Sequence, residues 1–446
     1  MISTLHAAAD DLRAGRTTPL DLLDACLAQI DRMEERVRAW VFVDREGARA
    51  EAERRTQEIR KGDWRGPLHG MPIGIKDIFD VFDWPTAAGS RLWKNSIARQ
   101  DATVVRKLRE AGAVFLGKTV TTQYASFDPP PTRNPWALGR TPGGSSSGSA
   151  AALACGMCFG ALGSQTGGSI TRPAAFCGVA GLKPTYGRVA LAGVVPLAAS
   201  MDHPGPMARC VRDLAVVLQV IAGPDPLDPS AADVAVPDYR ERIESGIRPP
   251  RLGRLRGLFE SRAEPVVREM MDRVCAQLHA AGATVVDVAL PAAFTDVLIR
   301  HLIVMAVEAA MFHEPRLRRH PEDYDPNIRG LLEEGLRRSP TEYARTKEHQ
   351  RLLKKEMEAC FAGVDALLTP SAAGPAPDAA TTGDPVFNSP WSYTGLPTVC
   401  FPCGRSPEGL PLGLQVVGRA WGEADLLAVA VWCEDVLGFP LEEPTV

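Results

Sequence analysis

The chain has 446 residues, of which 45% are hydrophobic and 23% are charged, and its formal net charge is −4. This composition is typical of a globular protein, and the slight acidic excess argues against a nucleic-acid-binding surface. The apolar runs are shorter than a membrane span, and the first residues lack the basic and apolar regions of a signal peptide. Ten cysteines in so long a chain do not make a disulfide scaffold, so we expect reduced thiols in a cytoplasmic protein.

Helices and strands alternate along most of the chain. Thr18 before Pro19 is the pattern of an N-cap followed by a first-turn proline, and helical spacing continues beyond it. Further helices are predicted at REGARAEAERRTQEIRK, ATVVRKLREAGA, SGSAAALACGM and EPVVREMMDRVCAQLHAAG. Strands are predicted at PIGIKDIFDV, AVFLGK, PRLGRLRGLF, ATVVDVAL, DALLTP and LPLGLQVVGR.

This alternation predicts an α/β fold, with a central mixed, mostly parallel sheet between two layers of helices. The length allows two or three average domains or one large α/β domain, and we expect a single domain over residues 1–446. Residues 223–253 are rich in proline and aspartate and are predicted to be a surface excursion. Residues 294–362 are charged and almost wholly helical, and we expect them to shape the mouth of a substrate site.

Two short motif matches are weakened by their context. Residues 112–119, GAVFLGKT, fit the phosphate-loop pattern, but a buried strand occupies the part that must curl around phosphate. Residues 144–148, GSSSG, fit the nucleophile elbow of α/β hydrolases, but a loop precedes them where that elbow needs a strand. Neither nucleotide binding nor an α/β hydrolase is favoured.

Two segments combine glycines with serines. TPGGSSSGSAAALA contains Ser145, and SQTGGSITRPAAFCG contains Ser169. Glycines before a serine let backbone N–H groups point inward, as an oxyanion hole requires, although each segment could also be a glycine turn with a capping serine. Lys76 ends a strongly apolar strand, where it is either an edge lysine that reaches water or a buried base. Lowering the pKa of a lysine from about 10.4 to about 7–8 requires the ammonium form to be destabilised by roughly 3–4 kcal/mol.

The motifs GIKD, PGGSSSGS and TGGSITRPAAFCGVAGLKPTYGRV resemble the amidase signature family in order and spacing, with Ser169 placed 24 positions after Ser145. The resemblance is strong over about residues 66–223 and resumes at FNSPWSYTGLPTVCFPCG. It implies the three-layer fold of that family and hydrolysis of amide-type C–N bonds without a cofactor or a metal.

The resemblance also implies residue roles. Ser169 would be the nucleophile, Ser145 after a cis peptide bond would relay its proton, and Lys76 would be the final base. The oxyanion hole would consist of the backbone N–H groups of Thr166, Gly167, Gly168 and Ser169. Acylation of Ser169 would release an amine or ammonia, and water would then hydrolyse the acyl-enzyme.

The resemblance specifies the substrate less closely than the catalytic residues. Gln165 and Arg172 depart from the common family pattern, and QTGGSxxRPAA resembles a malonamidase-like branch whose corresponding arginine binds a substrate carboxylate. Members with similar segments hydrolyse aryl amides and carbamates, including urethanes. Arg172 is therefore either a substrate ligand or a structural cation. Gln165 is a further candidate substrate ligand, and Trp391 or Tyr393 would supply an aromatic wall. We favour a neutral amide or carbamate, because the proline-rich loop and the late aromatic segment suggest room for a bulky group.

Two rival functions stay open. The same signature occurs in the glutaminase subunit of tRNA-dependent amidotransferases, which needs dedicated partner subunits. A non-catalytic binding protein on this scaffold is disfavoured by the presence of Lys76, Ser145 and Ser169. We expect a small-molecule amide or carbamate as the partner, with neither nucleic acid nor membrane, and a homodimer is one option.

Overall fold

Eleven strands form one sheet in the computed structural model, which describes residues 3–444. In chain order they are β1 (Trp40–Val43), β2 (Pro72–Lys76), β3 (Val114–Thr119), β4 (Gly160–Gln165), β5 (Ala180–Lys183), β6 (His203–Ala208), β7 (Arg251–Leu255), β8 (Thr284–Val288), β9 (Ala366–Pro370), β10 (Thr398–Arg405) and β11 (Pro411–Val417). Their spatial order is β1-β3-β2-β4-β6-β5-β10-β11-β9-β7-β8.

Helices connect and flank these strands. They are α1 (Leu5–Arg13), α2 (Pro19–Val37), α3 (Arg45–Arg60), α4 (Thr103–Glu110), α5 (Ser147–Ala154), α6 (Thr171–Cys177), α7 (Val211–Ile221), α8 (Tyr239–Glu244), α9 (Leu258–Ser261), α10 (Pro265–Ala280), α11 (Val297–Arg319), α12 (Pro326–Arg337), α13 (Pro340–Glu356), α14 (Ser389–Thr394) and α15 (Glu423–Leu437). The predicted start of α2 is confirmed: Thr18 is the N-cap ahead of Pro19, and it forms a capping box with Asp21. The α/β fold is confirmed as well.

The sheet is mixed, as predicted, but it is not mostly parallel. Of the ten strand pairings within residues 3–444, six are antiparallel. The parallel pairs lie on the two sides, around β2 and β7, where helical crossovers separate the strands. The middle of the sheet contains the β10–β11 hairpin, and a short connection of this kind requires antiparallel strands.

The two weak motif matches have other structures. Residues 114–119 form strand β3, and Lys118 is buried in an ion pair with Asp77, with 2.9 Å between Nζ and Oδ1. This lysine is therefore not part of a phosphate loop. Ser146 directly precedes α5, and a loop rather than a strand runs into it, so the geometry of a nucleophile elbow is absent.

The fold brings the serine and lysine segments to one edge of the sheet. Strands β2 and β4 are parallel neighbours, so their carboxyl ends, Lys76 and Gln165, lie at the same edge. Helices α5 and α6 begin close to Ser145 and Ser169, and both helices are buried and contact each other. Clefts at the carboxyl ends of parallel strands are common ligand sites in α/β proteins.

The segment predicted to be helical, residues 294–362, contains α11, α12 and α13, and α11 packs against α14. Its place at the mouth of a substrate site stays a prediction. Among residues 3–444, no helix has the length and apolarity that a membrane crossing requires.

Candidate active site

Lys76 is the last residue of β2, and its side chain is completely buried. Its Nζ atom lies 2.7 Å from Oγ of Ser145 and 2.8 Å from Oγ of Ser164. Burial holds the pKa of Lys76 well below the usual value of a lysine, and the carboxylate of Asp202 opposes this shift only in part. A neutral amine in hydrogen-bond contact with a hydroxyl can accept a proton from it.

Ser145 follows a cis peptide bond from Gly144, as the sequence predicts. The neighbouring serines have structural contacts. Oγ of Ser146 accepts the N–H of Ser164 at 3.2 Å, which ties the loop to β4, and Oγ of Ser147 donates to the carbonyl of Gly143 at 2.6 Å. These bonds fix the backbone on either side of Ser145.

Ser169 lies in the loop between β4 and α6, and 7% of its surface is exposed. The N–H of Ser146 donates to the carbonyl of Ser169 at 3.2 Å, so the two serine loops are joined directly. Among residues 3–444, the backbone N–H groups of Gly167, Gly168 and Ser169 donate to no protein acceptor. Unpaired donors fixed beside a serine are what stabilisation of an oxyanion requires.

Side chains from distant elements hold the rest of this loop. Oγ1 of Thr166 donates to Oδ1 of Asp202, whose carboxylate also accepts the N–H of Leu197 at 2.9 Å. Nε2–H of His301, on α11, donates to the carbonyl of Thr166 at 2.8 Å. Burial lowers the pKa of His301 to about 4, so the imidazole is neutral near pH 7. The loop is therefore braced on both sides.

The amide oxygen of Gln165, which the sequence places among the substrate ligands, accepts three hydrogen bonds from the start of α6. Its donors are the N–H groups of Ile170 and Thr171, both at 3.0 Å, and Oγ1 of Thr171 at 3.1 Å. These contacts serve the turn that presents Ser169.

Arg172 is 1% exposed and directs Nη2 toward the carbonyl of Gly144, at 2.8 Å, and toward Oγ1 of Thr382, at 3.3 Å. Burial lowers the pKa of its guanidinium to about 10, an effect that attraction by Asp384 reduces. Its Nε and Nη1 groups have no partner among residues 3–444. Arg172 thus supports the residue before Ser145 and keeps two donors free.

Trp391 and Tyr393 both lie in α14 and are fully buried. The indole of Trp391 stacks on Phe259, with ring centroids 5.6 Å apart. The hydroxyl of Tyr393 donates to the carbonyl of Thr346 at 2.9 Å and lies 3.0 Å from Nδ1 of His349. Their contacts connect α14 to α9 and α13, and a role for either ring in substrate binding stays a prediction.

Comparison with known proteins agrees with this architecture. The family profile "Amidase" matches residues 21–427. The chain belongs to the amidase family. It is 39% identical to an amidase of Pseudomonas putida, over 95% of this chain and 94% of that protein. It is 36% identical to a glutamyl-tRNA(Gln) amidotransferase subunit of Myxococcus xanthus, over 96% of each chain. The solved structure of a peptide amidase from Stenotrophomonas maltophilia superimposes with a TM-score of 0.86 at 31% identity, covering 99% of this chain and 98% of that one.

This amidase contains polar groups around Lys76 and the serine loops that sequence reasoning missed. They are Ser164, Asp202, His301 and Asn388. Only Ser164 carries a local signal, because it lies five positions before the candidate nucleophile within the same polar stretch. The other three approach from the residue before β6, from α11 and from the loop before α14, and no pattern within those segments distinguishes them from other buried polar residues.

We predict that His301→Ala lowers kcat about tenfold, because the carbonyl of Thr166 loses its donor and the loop gains freedom. KM should change less than kcat. His301→Gln, which retains an N–H donor, should recover part of kcat. The matched control is His279→Ala, since His279 lies on α10 and its ring contacts the carbonyl of Ala283 instead. An equal fall in kcat for both alanine variants would contradict a positioning role for His301.

Proposed function

We propose that this amidase cleaves amide-type C–N bonds through an acyl-enzyme on Ser169, with Ser145 and Lys76 as the proton path. The observation that carries the proposal is the contact of 2.7 Å between Nζ of the buried Lys76 and Oγ of Ser145. A lysine without exposure to water, and with a lowered pKa, is a usable base near neutral pH.

In the first step, Oγ of Ser169 attacks the carbonyl carbon of the substrate, and its proton passes through the Ser145 hydroxyl to Nζ of Lys76. The oxygen of the tetrahedral intermediate becomes negative and is stabilised by the unpaired N–H groups of the loop at residues 166–169. The same path returns the proton to the leaving amine or ammonia. Water then attacks the ester on Ser169 and releases the acid.

The proposal makes a prediction for the pH dependence. Lys76 has to be neutral in the free enzyme, so kcat/KM should rise with increasing pH as Lys76 loses its proton, and it should be lost below that point. Because burial lowers the pKa of Lys76, the rise should occur well below the usual range of a lysine. The measurement is kcat/KM against pH. His301 titrates at a pKa of about 4, so an inflection that disappears in His301→Gln would assign the limb to the histidine and contradict the proposal.

For the substrate, we propose a neutral amide, with aryl amides and carbamates, including urethanes, in the same class. The support comes from Arg172, whose Nη2 group is already bonded to Gly144 and Thr382 inside the protein. The malonamate-type alternative is favoured by a different observation on the same residue, because Nε and Nη1 of Arg172 have no partner among the described residues. A carboxylate can accept a hydrogen bond from either group, but one carboxylate cannot bridge the two, because Nε–H and Nη1–H lie on different edges of the guanidinium.

A panel of primary amides, anilides, aryl carbamates and malonamate, assayed for release of ammonia or amine, tests the substrate class. With wild type we expect higher kcat/KM for an anilide or aryl carbamate than for malonamate. In Arg172→Met both reactions should fall by a similar factor, because the support of Gly144 is lost. If wild type turns over malonamate efficiently and the variant loses that reaction selectively, by about 2–5 kcal/mol, the acid alternative is correct.

The glutaminase alternative is favoured by the likeness to the amidotransferase protein of Myxococcus xanthus. It predicts release of ammonia from glutamine, and it predicts that the chain copurifies with partner subunits. Our proposal predicts that the isolated chain hydrolyses neutral amides by itself. We also propose a cytoplasmic location, to which the free thiols of the described cysteines are suited.

A further inference from the structure

Three metal-ligating side chains meet away from the candidate active site, where α1 and α7 begin. Nδ1 of His6 lies 2.7 Å from Oδ1 of Asp213 and 3.8 Å from Sγ of Cys210. All three ligand atoms lie within 4.8 Å of one another. Within residues 3–444 no other group of three such side chains is this close.

The two helices hold these side chains in place. Cys210 is the N-cap residue of α7 and Asp213 lies in its first turn, so a spacing of three residues places both on one side of the helix. The Asp213 carboxylate is fully buried and accepts the N–H groups of Leu5 and His6, both at 2.9 Å, from the start of α1. The Asp213 and His6 ligands are therefore positioned by backbone contacts as well as by each other.

The cluster contains a buried carboxylate and has access to solvent. Among the described residues Asp213 forms no ion pair with an arginine or lysine, although the buried guanidinium of Arg209 is near enough to attract its carboxylate, and the adjacent Arg212 is paired with Asp435 at 2.7 Å. The side chain of His6 is 39% exposed and lines a cavity of 140 Å³, whose charged lining is mixed, with Asp10, Glu244, Arg212 and Arg240.

We propose that His6, Cys210 and Asp213 bind a divalent transition metal, with Zn²⁺ as the preferred ion. One nitrogen, one thiolate and one carboxylate oxygen form a borderline-soft donor set, and water from the cavity would be the fourth ligand. On binding, the thiol of Cys210 releases its proton to solvent, and the proton of the His6 ring moves from Nδ1 to Nε2. Zinc ligands stand about 3.3–3.6 Å apart, so the His6–Asp213 contact of 2.7 Å has to open by about 0.6–0.9 Å.

The site has no part in the hydrolysis proposed above. A metal bound there would stabilise the folded state, because it would join α1 to α7. Binding to the folded state alone stabilises a protein according to the ligand concentration and the affinity.

The test uses the full-length, metal-free chain titrated with Zn²⁺ and, as a spectroscopic probe, with Co²⁺. We expect one Zn²⁺ per chain, a rise in Tm, and the near-ultraviolet absorption of a thiolate bound to Co²⁺. Cys210→Ser and His6→Ala should each weaken Zn²⁺ binding at least about tenfold, and Cys210→Ser should abolish the thiolate absorption. Cys275→Ser and His279→Ala, which change a half-buried cysteine and an exposed histidine on α10, are the controls and should behave like wild type.

Two outcomes would overturn the proposal. One is the absence of thiolate absorption when wild type is titrated with Co²⁺, which decides the question even if a variant fails to fold. The other is Zn²⁺ binding of wild-type strength in Cys210→Ser, which would show that His6 and Asp213 form only a hydrogen bond that caps α1.

Discussion

Ser169→Ala is expected to lower kcat about 10⁴- to 10⁶-fold, because it removes the hydroxyl proposed to form the acyl-enzyme. Lys76→Ala should cost a similar factor, since Ser145 then has no base to take the proton. The double variant Lys76→Ala/Ser169→Ala should lose little more than either single variant, as expected for groups that act as one unit. The measurement is kcat on the best substrate of the panel.

The control for this experiment is Lys118→Ala. Lys118 is also a buried lysine on a neighbouring strand, but its Nζ is paired with Asp77 instead of a serine. The Lys118→Ala variant should be less stable to unfolding than wild type, and its folded fraction should keep most of the activity. Turnover close to wild type in Ser169→Ala, or multiplicative losses in the double variant, would contradict the proposed proton path.

Gly168→Ala is expected to lower kcat about 10²- to 10³-fold, the cost of losing one oxyanion donor. A Cβ atom at this position would stand 2.7 Å from Oδ1 of Asn388 and 2.9 Å from its Cβ. Asn388 cannot move aside easily, because it is fully buried and its amide group donates to the carbonyl of Ser371 at 2.9 Å. The loop would have to shift, and its N–H groups would move away from the oxyanion.

Gly167→Ala is the matched control, one residue earlier in the same loop. Its Cβ would meet nothing closer than 3.6 Å, where Cε1 of His301 and Oγ of Ser389 lie in ordinary van der Waals contact. We expect kcat within a few-fold of wild type for this variant. An equal fall of kcat in both variants would show that the clash with Asn388 is not the reason why position 168 needs a glycine.

The local features of the fold were predicted from residues close together in the chain. The N-cap at Thr18, the strand that ends at Lys76 and the cis bond at Gly144 follow from short motifs, either through local physical chemistry or through the family resemblance. The predicted direction of the central strands was wrong, because strand pairing depends on which segments meet in space. Alternating helices and strands favour parallel pairs, and the β10–β11 hairpin overrides that expectation.

The sequence by itself determined the reactive groups of the candidate site: two serines in glycine-rich loops and a lysine at the end of an apolar strand. Only the tertiary structure decided what surrounds them. His301 lies 135 residues from Thr166 in the chain, and Thr382 lies 210 residues from Arg172, so neither contact leaves a mark in local periodicity. The lowered pKa of Lys76 likewise arises from burial among many segments, and no short stretch of sequence specifies burial.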